Sequence, residues 1–232
     1  MALSHVLEAY DRLSSPRVTG DAVAALWRAR GLVDVQVETV SDGAVSTDFV
    51  SGLVRSPRAD APVLGLIGRL GGLGARPAVA GLVSDADGAI AAVAAGLLLA
   101  DMARDGEALD AGVRIHTHIA PRASTRPHHP VPMMRSPLPM RAMMAREVHP
   151  SMEAILSIDT SRGNRLVNER GVAITPTAKE GWVLRTSEDL LDILGWVSGR
   201  LPLVLPITTQ DITPYEAGLW HVNSIMQPAT AT

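Results

Sequence analysis

The chain has 232 residues, of which 47% are apolar and 19% charged, and its formal net charge is −3. This balance is typical of a globular protein and excludes intrinsic disorder, and the length predicts one domain with room for an insertion. The weak negative charge predicts neither a nucleic-acid nor a membrane partner, and the absence of cysteine excludes disulfides and cysteine-bound metals. The first residues lack the basic flank and apolar run of a secretory signal, so a cytoplasmic protein is expected.

Two helices and two strands are predicted at the start of the chain. Apolar spacing predicts helices over residues 6–13 and 22–30, and Gly31 closes the second one. Alternating β-branched residues then predict a strand over 33–40, and a strand is favoured over a helix for 45–54.

Buried strands and one long helix follow. Continuous apolar runs at 62–68 and 154–158 are typical of strands covered on both faces of a parallel sheet. An alanine-rich helix is predicted after 84–87 and ends near Arg104, and a strand is predicted over 112–118. Weaker patterns predict strands at 164–168, 171–175, 203–207 and 220–225 and a helix over 187–198. This order predicts an α/β fold with a mixed, largely parallel sheet flanked by helices.

Residues 121–150 form a segment rich in proline, arginine and methionine, with one short helix expected near 140–146. Routine connections span ~2–6 residues, so this segment is predicted to be a functional excursion or an oligomer arm. Its methionines are expected to form a protruding, loosely packed contact surface that joins copies of the chain into a homo-oligomer. Arg122 and Arg126 are candidates to bind a substrate carboxylate, and solvated arginines packed around a dimer are the alternative.

Three carboxylates follow or precede predicted secondary structure at positions suited to a metal. Asp85 and Asp87 stand at a strand-to-helix junction, and Asp159 ends the apolar run at 154–158. Ligands in open α/β sheets bind beyond the carboxyl ends of the strands, where such carboxylates collect. Helix capping is the alternative for the first pair and a turn is the alternative for Asp159.

A histidine pair ends the predicted strand at 112–118. Alternation places His116 and His118 on one face and Thr117 on the other. Such a pair suits a metal or an acid–base role, and a surface pair at a strand end is the alternative. The glycine-rich loop at 69–77 lacks the order of a dinucleotide-binding fingerprint, because it passes through Arg76 and Pro77 before any helix.

Several of these blocks together carry a resemblance. The strings PRVTGDAV, IGRLGGLGARP, GLVSDADGAIAA, ILSIDTSRGNR and TTQDITPY resemble an uncharacterised bacterial domain-of-unknown-function family over nearly the whole chain. Members of that family are often encoded beside AroM-like proteins and oligopeptide transporters. By itself this resemblance implies no activity.

The order of blocks is also distantly similar to the co-catalytic zinc aminopeptidases of the glutamyl and deblocking group. That resemblance implies a zinc-exopeptidase-like sheet in which Asp85 or Asp87, together with Asp159, would hold a divalent metal, most simply zinc. The chain departs from the pattern where Arg69 stands near the place of a metal-binding histidine and where His116 and His118 replace paired glutamates. The last histidine ligand of those enzymes would lie beyond residue 232, so residues 1–232 are expected to form one α/β domain that lacks a C-terminal portion.

The leading hypothesis is a metal-dependent hydrolase of an amide or peptide bond in a small peptide or amino-acid-derived substrate. Asp85, Asp87 and Asp159 would hold the metal, and His118 would be a ligand or the general base. Arg69, Arg122 and Arg126 would contact the substrate. A non-catalytic binding protein with Arg69 in place of a lost metal is one alternative, and a self-cleaving amidohydrolase whose chain ends at the cleavage site is another.

Overall fold

The computed structural model describes residues 2–42, 45–69, 74–75, 79–82, 86–107, 109–127, 133–134, 138–162, 171–176, 178–179, 182–205, 214–215, 219–220 and 223–227. The helices within these ranges are α1 Ala2–Ser14, α2 Gly20–Arg30, α3 Asp87–Arg104, α4 Met140–Glu147 and α5 Glu188–Ser198. The strands of the main sheet are β1 Val33–Asp42, β2 Val45–Val54, β3 Val63–Gly68, β4 Gly112–Ile119, β5 Ala154–Arg162, β6 Gly171–Ile174, β7 Leu203–Val204 and β8 Asn223–Gln227. Short antiparallel ladders pair Gly74–Ala75 with Val79–Ala80, Thr125–Arg126 with Met133–Met134, Ala178–Lys179 with Trp182–Val183, and Pro214–Tyr215 with Leu219–Trp220.

The eight strands of the main sheet are arranged in the order β1-β2-β4-β3-β5-β8-β6-β7. The four central strands β4, β3, β5 and β8 are parallel to one another, while β1, β2 and β6 each make antiparallel contacts. The predicted mixed, largely parallel sheet flanked by helices is therefore confirmed. The strand predicted at 164–168 lies outside the described residues.

Local sequence signals account for several element ends. The hydroxyl of Thr19 accepts a hydrogen bond from the amide of Ala22, and so caps the start of α2. Gly31 ends the same helix with φ of +100°, a left-handed conformation that glycine adopts without steric cost. The chain can therefore turn sharply from α2 into β1.

One face of the sheet is covered by α1, α2 and α3. Trp27 of α2, Leu97 of α3 and Ile115 of β4 are fully buried in the largest apolar cluster of the described residues. Alternation along β4 sends Val113, Ile115 and Ile119 to this face. His116 and His118, which alternate with these residues, point to the opposite face.

That opposite face is covered by α4, which corrects one expectation about the 121–150 segment. Leu138, Met143 and Met144 are buried, and Met144 packs with Ile67 and Ile155 of the sheet. The expected loose packing is therefore wrong for this part of the segment, because Met143 and Met144 fill the space between α4 and the strands. Whether another part of the segment joins copies of the chain stays a prediction.

The length and hydropathy of the helices bear on whether the chain can span a membrane. Within the part of the chain that the structure describes, no helix is both long enough and apolar enough to cross a membrane.

Helix α3 approaches the sheet closely through glycine. A Cβ atom on Gly88 would lie 2.5 Å from the carbonyl oxygens of Arg69 and Ile158, both of which are backbone atoms that cannot swing away. We expect Gly88→Ala to lower the free energy of unfolding by ~1–3 kcal/mol because overpacked cores strain their backbone. Urea denaturation monitored by circular dichroism measures this change.

The matched control for Gly88→Ala is Gly195→Ala in α5. The nearest atom to a Cβ at Gly195 is 3.8 Å away, so alanine fits there without a clash. Alanine should stabilise the helix by ~0.5–1 kcal/mol, since glycine loses more backbone entropy on folding. Equal effects of the two substitutions would contradict the packing argument.

Candidate functional site

The carboxyl ends of three parallel strands bring residues from distant parts of the sequence together. Gly68 pairs with Thr117 of β4 on one side and with Ile158 of β5 on the other. The amide of Arg69 donates a hydrogen bond of 2.8 Å to the carbonyl of Ile158, which continues the alignment by one residue. His118, Arg69 and Asp159 therefore occupy neighbouring positions at one edge of the sheet.

These three residues also share a face, together with Phe49 of β2, which pairs with His118. The aromatic ring of Phe49 lies 5.8 Å from the imidazole of His118, measured between ring centroids. Ile155 packs beneath α4, so alternation along β5 directs Asp159 towards the α4 side as well. We call Phe49, His118, Arg69 and Asp159 the edge row.

The start of α3 reaches the same edge. Gly88 packs directly on the backbone of Arg69 and Ile158, which places the half-buried Asp87 beside the strand ends. Of the candidate site residues predicted from the sequence, Asp87, His118 and Asp159 thus lie at this edge. Asp85 lies outside the described residues.

A buried ionic cluster joins the edge row to α4. The Nδ1 atom of His118 lies 3.1 Å from Oε1 of Glu147, and the Nε atom of Arg69 lies 3.7 Å from Oε2 of the same carboxylate. The side chains of Arg69, His118 and Glu147 are only 2%, 1% and 0% exposed. We call these three residues the buried cluster.

The carboxyl group of Glu147 is ionised in this environment. Burial alone would raise its pKa, but the hydrogen bond from His118 and the positive charge of Arg69 outweigh burial and hold the pKa below its usual value. An ionised carboxylate only accepts hydrogen bonds, so the proton of a neutral His118 resides on Nδ1. Its Nε2 atom then carries a lone pair.

The Nε2 atom of His118 is buried and has no hydrogen-bond partner among the described residues, and the same holds for Oε2 of Glu147 and Oγ of Ser157. Buried polar atoms usually have a partner, so an unsatisfied group in such a cluster indicates a place for a ligand or water. The Nε2 side of the imidazole is therefore the side on which a ligand or water molecule would bind.

His116 is held in a similar way one step along β4. Its Nδ1 atom donates a hydrogen bond of 3.3 Å to the carbonyl of Arg146, the residue before Glu147. Burial, followed by the positive charge of Arg114, lowers the pKa of His116 to about 4. Both histidines of β4 thus point their Nδ1 atoms at the end of α4, and the predicted common face is confirmed.

The described residues do not by themselves complete a metal site. No group of three histidine, aspartate or glutamate side chains among them is placed to hold an ion. Arg69 also carries a fixed positive charge between His118 and Asp159 in the edge row, which is an unfavourable neighbour for a second cation.

The arginines predicted to contact substrate lie in different environments. Arg69 is buried, whereas Arg122 is exposed just beyond β4. Arg126 belongs to a two-residue ladder, and its side chain lies outside the description. Arg69 and Arg122 therefore lie in different environments.

Glu147 was not among the residues that sequence reasoning selected. It is the sole acidic residue of the segment 121–150, which contains five arginines. A lone acid among arginines is a signal that could have identified Glu147, because a carboxylate that becomes buried needs a cationic partner. Its partners Arg69 and His118, however, are set by the way α4 folds back on the sheet.

Comparisons with known proteins agree with this architecture. Residues 38–232 match the family described as "Protein of unknown function (DUF1177)". No curated protein matches the chain at a significant level.

Solved structures with the same fold are enzymes. The bottromycin maturation enzyme BotP, solved in complex with Mn, is 18% identical with a TM-score of 0.54 over 95% of this chain and 56% of that one. A tomato leucine aminopeptidase mutant is 12% identical with a TM-score of 0.55 over 94% and 51% of the two chains. The glutaminyl cyclase of Fimbriiglobus ruber is 14% identical with a TM-score of 0.52 over 97% and 82%.

The chain thus spans about half the length of the first two of these structures. At such identities the likeness shows the fold alone, which is peptidase-like.

Proposed function

Because this chain belongs to the DUF1177 family of proteins of unknown function and has a peptidase-like fold, we propose that it hydrolyses an amide or peptide bond in a small substrate. The substrate class is a short peptide or an amino-acid derivative. The observation that carries the proposal is the His118–Glu147 pair at the carboxyl edge of the sheet, in which the buried Nε2 atom of His118 has no hydrogen-bond partner among the described residues.

The buried cluster supplies the groups for acid–base catalysis. Glu147 holds the proton of His118 on Nδ1, so that Nε2 accepts the proton of a water molecule as its oxygen attacks the carbonyl carbon. The carbon–nitrogen bond then breaks, and Nε2 returns the proton to the leaving amine. Glu147 stabilises the imidazolium formed between these steps, and Arg69 keeps Glu147 ionised throughout.

Substrate must reach a histidine that is almost fully enclosed. The side chain of His118 is 1% exposed, so the reaction requires an opening on the side away from α4. Arg122, exposed just beyond β4, is suited to bind the substrate carboxylate with its planar guanidinium.

Activity of a His118 variant tests this proposal. The chain should release amine from a panel of dipeptides and N-acyl amino acids, and His118→Ala should lower the rate by ~10²–10⁴-fold, as expected for loss of a general base. His5→Gln, which alters a histidine of α1 bonded to Asp101, is the matched control and should retain the wild-type rate. Equal rates for His118→Ala and the wild type would remove His118 from the mechanism.

A separate part of the proposal is that the chain binds a divalent metal ion, most simply zinc. Asp85, Asp87 and Asp159 are its proposed ligands, and one of them lies outside the described residues. Metal analysis of the purified chain, combined with assays in the presence of a chelator, tests this part. A metal-free chain with activity insensitive to chelation would leave only the acid–base route.

A binding protein without catalysis is the second candidate, and the buried Arg69–Glu147 pair favours it. A fixed guanidinium near a place where the similar peptidases carry a metal-binding histidine could hold an anionic group of the ligand instead of a metal. Calorimetric titration with the same panel distinguishes the two candidates, since saturable binding without amine release supports the binding protein.

A further inference from the structure

Helix α5 carries an exposed apolar surface. None of its residues is buried, and Trp196 and Val197 are 79% and 82% exposed. Of the 14 large apolar side chains that are exposed among the described residues, nine lie between positions 172 and 204. Such a concentration is unusual on a monomer and marks a contact surface.

The exposed side chains surround a groove between α5 and the end of the sheet. A cavity of about 520 Å³ is lined by Val172, Val197 and Leu201, and a second of about 330 Å³ beside it is lined by Trp196, Leu201 and Val204. Strand β7 is the last strand of the sheet at this end. We define the α5 surface as Val172, Ile193, Trp196, Val197, Leu201 and Val204.

Acidic and basic residues lie at opposite ends of the α5 surface. Asp189 and Asp192 are exposed in the first half of α5, and Arg200 is exposed just past its last residue. The outward side of α5 is thus acidic at one end, apolar in the middle and basic at the other end. Two such helices placed antiparallel bring unlike charges together at both ends.

We propose that the α5 surface binds a second copy of this chain through a two-fold, antiparallel pairing of α5 helices. In a two-fold interface the same patch serves both protomers, so the patch must be self-complementary. The α5 surface meets this requirement, because its charged ends and its groove match those of a second copy. Trp196 enters the groove of the other copy, and Asp192 faces Arg200 of the partner subunit. This proposal is independent of the proposed hydrolase activity and places self-association away from residues 121–150.

Sedimentation velocity over 1–100 µM tests the pairing. The chain should show a concentration-dependent dimer, and Trp196→Ser should weaken dimerisation by roughly tenfold or more, as for an aromatic residue central to an interface. Tyr10→Ser is the matched control, because Tyr10 is an exposed aromatic residue on α1. Circular dichroism confirms that both variants stay folded.

Charge reversal identifies the occupant as a second copy in the antiparallel arrangement. Asp192→Arg and Arg200→Asp should each weaken the homodimer, because each places like charges at both ends of the helix pair. An equimolar mixture of the two single variants should form a heterodimer, because both end contacts then join unlike charges. The double variant should also recover a homodimer.

Three results would overturn the proposal. A wild-type chain that remains monomeric at 100 µM shows that the α5 surface has a different occupant. A dimer that Trp196→Ser leaves intact, or single variants that fail to pair when mixed, shows that the chain dimerises elsewhere.

Discussion

Replacing Glu147 by glutamine should lower the free energy of unfolding by ~3–5 kcal/mol, the usual cost of removing one partner of a buried ion pair. Glu147 is fully buried, accepts a hydrogen bond from the Nδ1–H group of His118 and lies 3.7 Å from the Nε atom of Arg69. Glutamine keeps the size of the side chain and removes the charge that compensates the buried guanidinium. Urea denaturation at pH 7.5 measures the loss as a lower midpoint with an unchanged slope.

The matched control is Glu38→Gln on β1. Glu38 pairs with Arg146 at 2.9 Å, but its side chain is 58% exposed, so water replaces the lost partner. That substitution should cost ~0–1 kcal/mol.

A double variant separates the charge effect from a packing effect. Arg69→Met combined with Glu147→Leu removes both buried charges together, and should be closer in stability to the wild type than Glu147→Gln alone. A double variant that is less stable than both Arg69→Met alone and Glu147→Leu alone would contradict the account of Glu147 as the counter-charge of Arg69.

The arrangement of the edge row could be predicted from the sequence in large part. Strand alternation placed His116 and His118 on one face, and the rule that parallel strands end at one edge brought Asp159 close to them. These relations depend on backbone geometry alone. They hold whatever side chains fill the space above the sheet.

The buried cluster could not be predicted in the same way. The sequence suggested either that Arg69 contacts the substrate or that it takes the place of a lost metal, and neither interpretation includes a buried ion pair with Glu147. Arg69 can be buried because Glu147 compensates its charge. Glu147 belongs to α4, which lies in the segment that was expected to protrude. A helix that folds back over a sheet leaves little trace in local spacing, since short apolar stretches such as 140–146 suit either a core or an interface.

For helix α5, the sequence predicted the element but not what lies next to it. The helix predicted over 187–198 agrees with the observed Glu188–Ser198, and Gly199 follows it in the left-handed conformation, although the side chain of Ser187 makes no capping hydrogen bond. An amphipathic helix usually packs its apolar side on the core, yet this helix has no buried residue. Periodicity reports that a helix has an apolar side, and it does not report which molecule covers that side.

His116 should make the protein less stable as the pH falls below about 6.5. Burial and the charge of Arg114 lower the pKa of folded His116 to about 4, whereas the unfolded chain takes up this proton near pH 6.5. The unfolded state therefore binds more protons between these values, and stability decreases across that window. At ~1.4 kcal/mol per pH unit between the two pKa values, the loss approaches ~3 kcal/mol by pH 4.

The pKa values of the titrating groups near His116 determine the pH range in which its effect on stability can be measured. Burial also lowers the pKa of His149, whose ring lies 6.5 Å from that of His116, so its effect has the same sign. Glu147, whose pKa is lowered, contributes stability that is lost at lower pH, as its carboxylate takes up a proton. The interval from pH 7 to pH 4.5 therefore reports mainly on the histidines.

Urea denaturation of the wild type, His116→Gln and His149→Gln at pH 7.0, 5.5 and 4.5 isolates the effect of His116. Glutamine can still donate a hydrogen bond towards the carbonyl of Arg146, but it does not titrate. The wild type should lose stability steadily over this interval, and His116→Gln should lose clearly less. His149→Gln should retain most of the wild-type slope, because His149 is less buried. A His116→Gln variant with the full wild-type slope would show that another group takes up the proton.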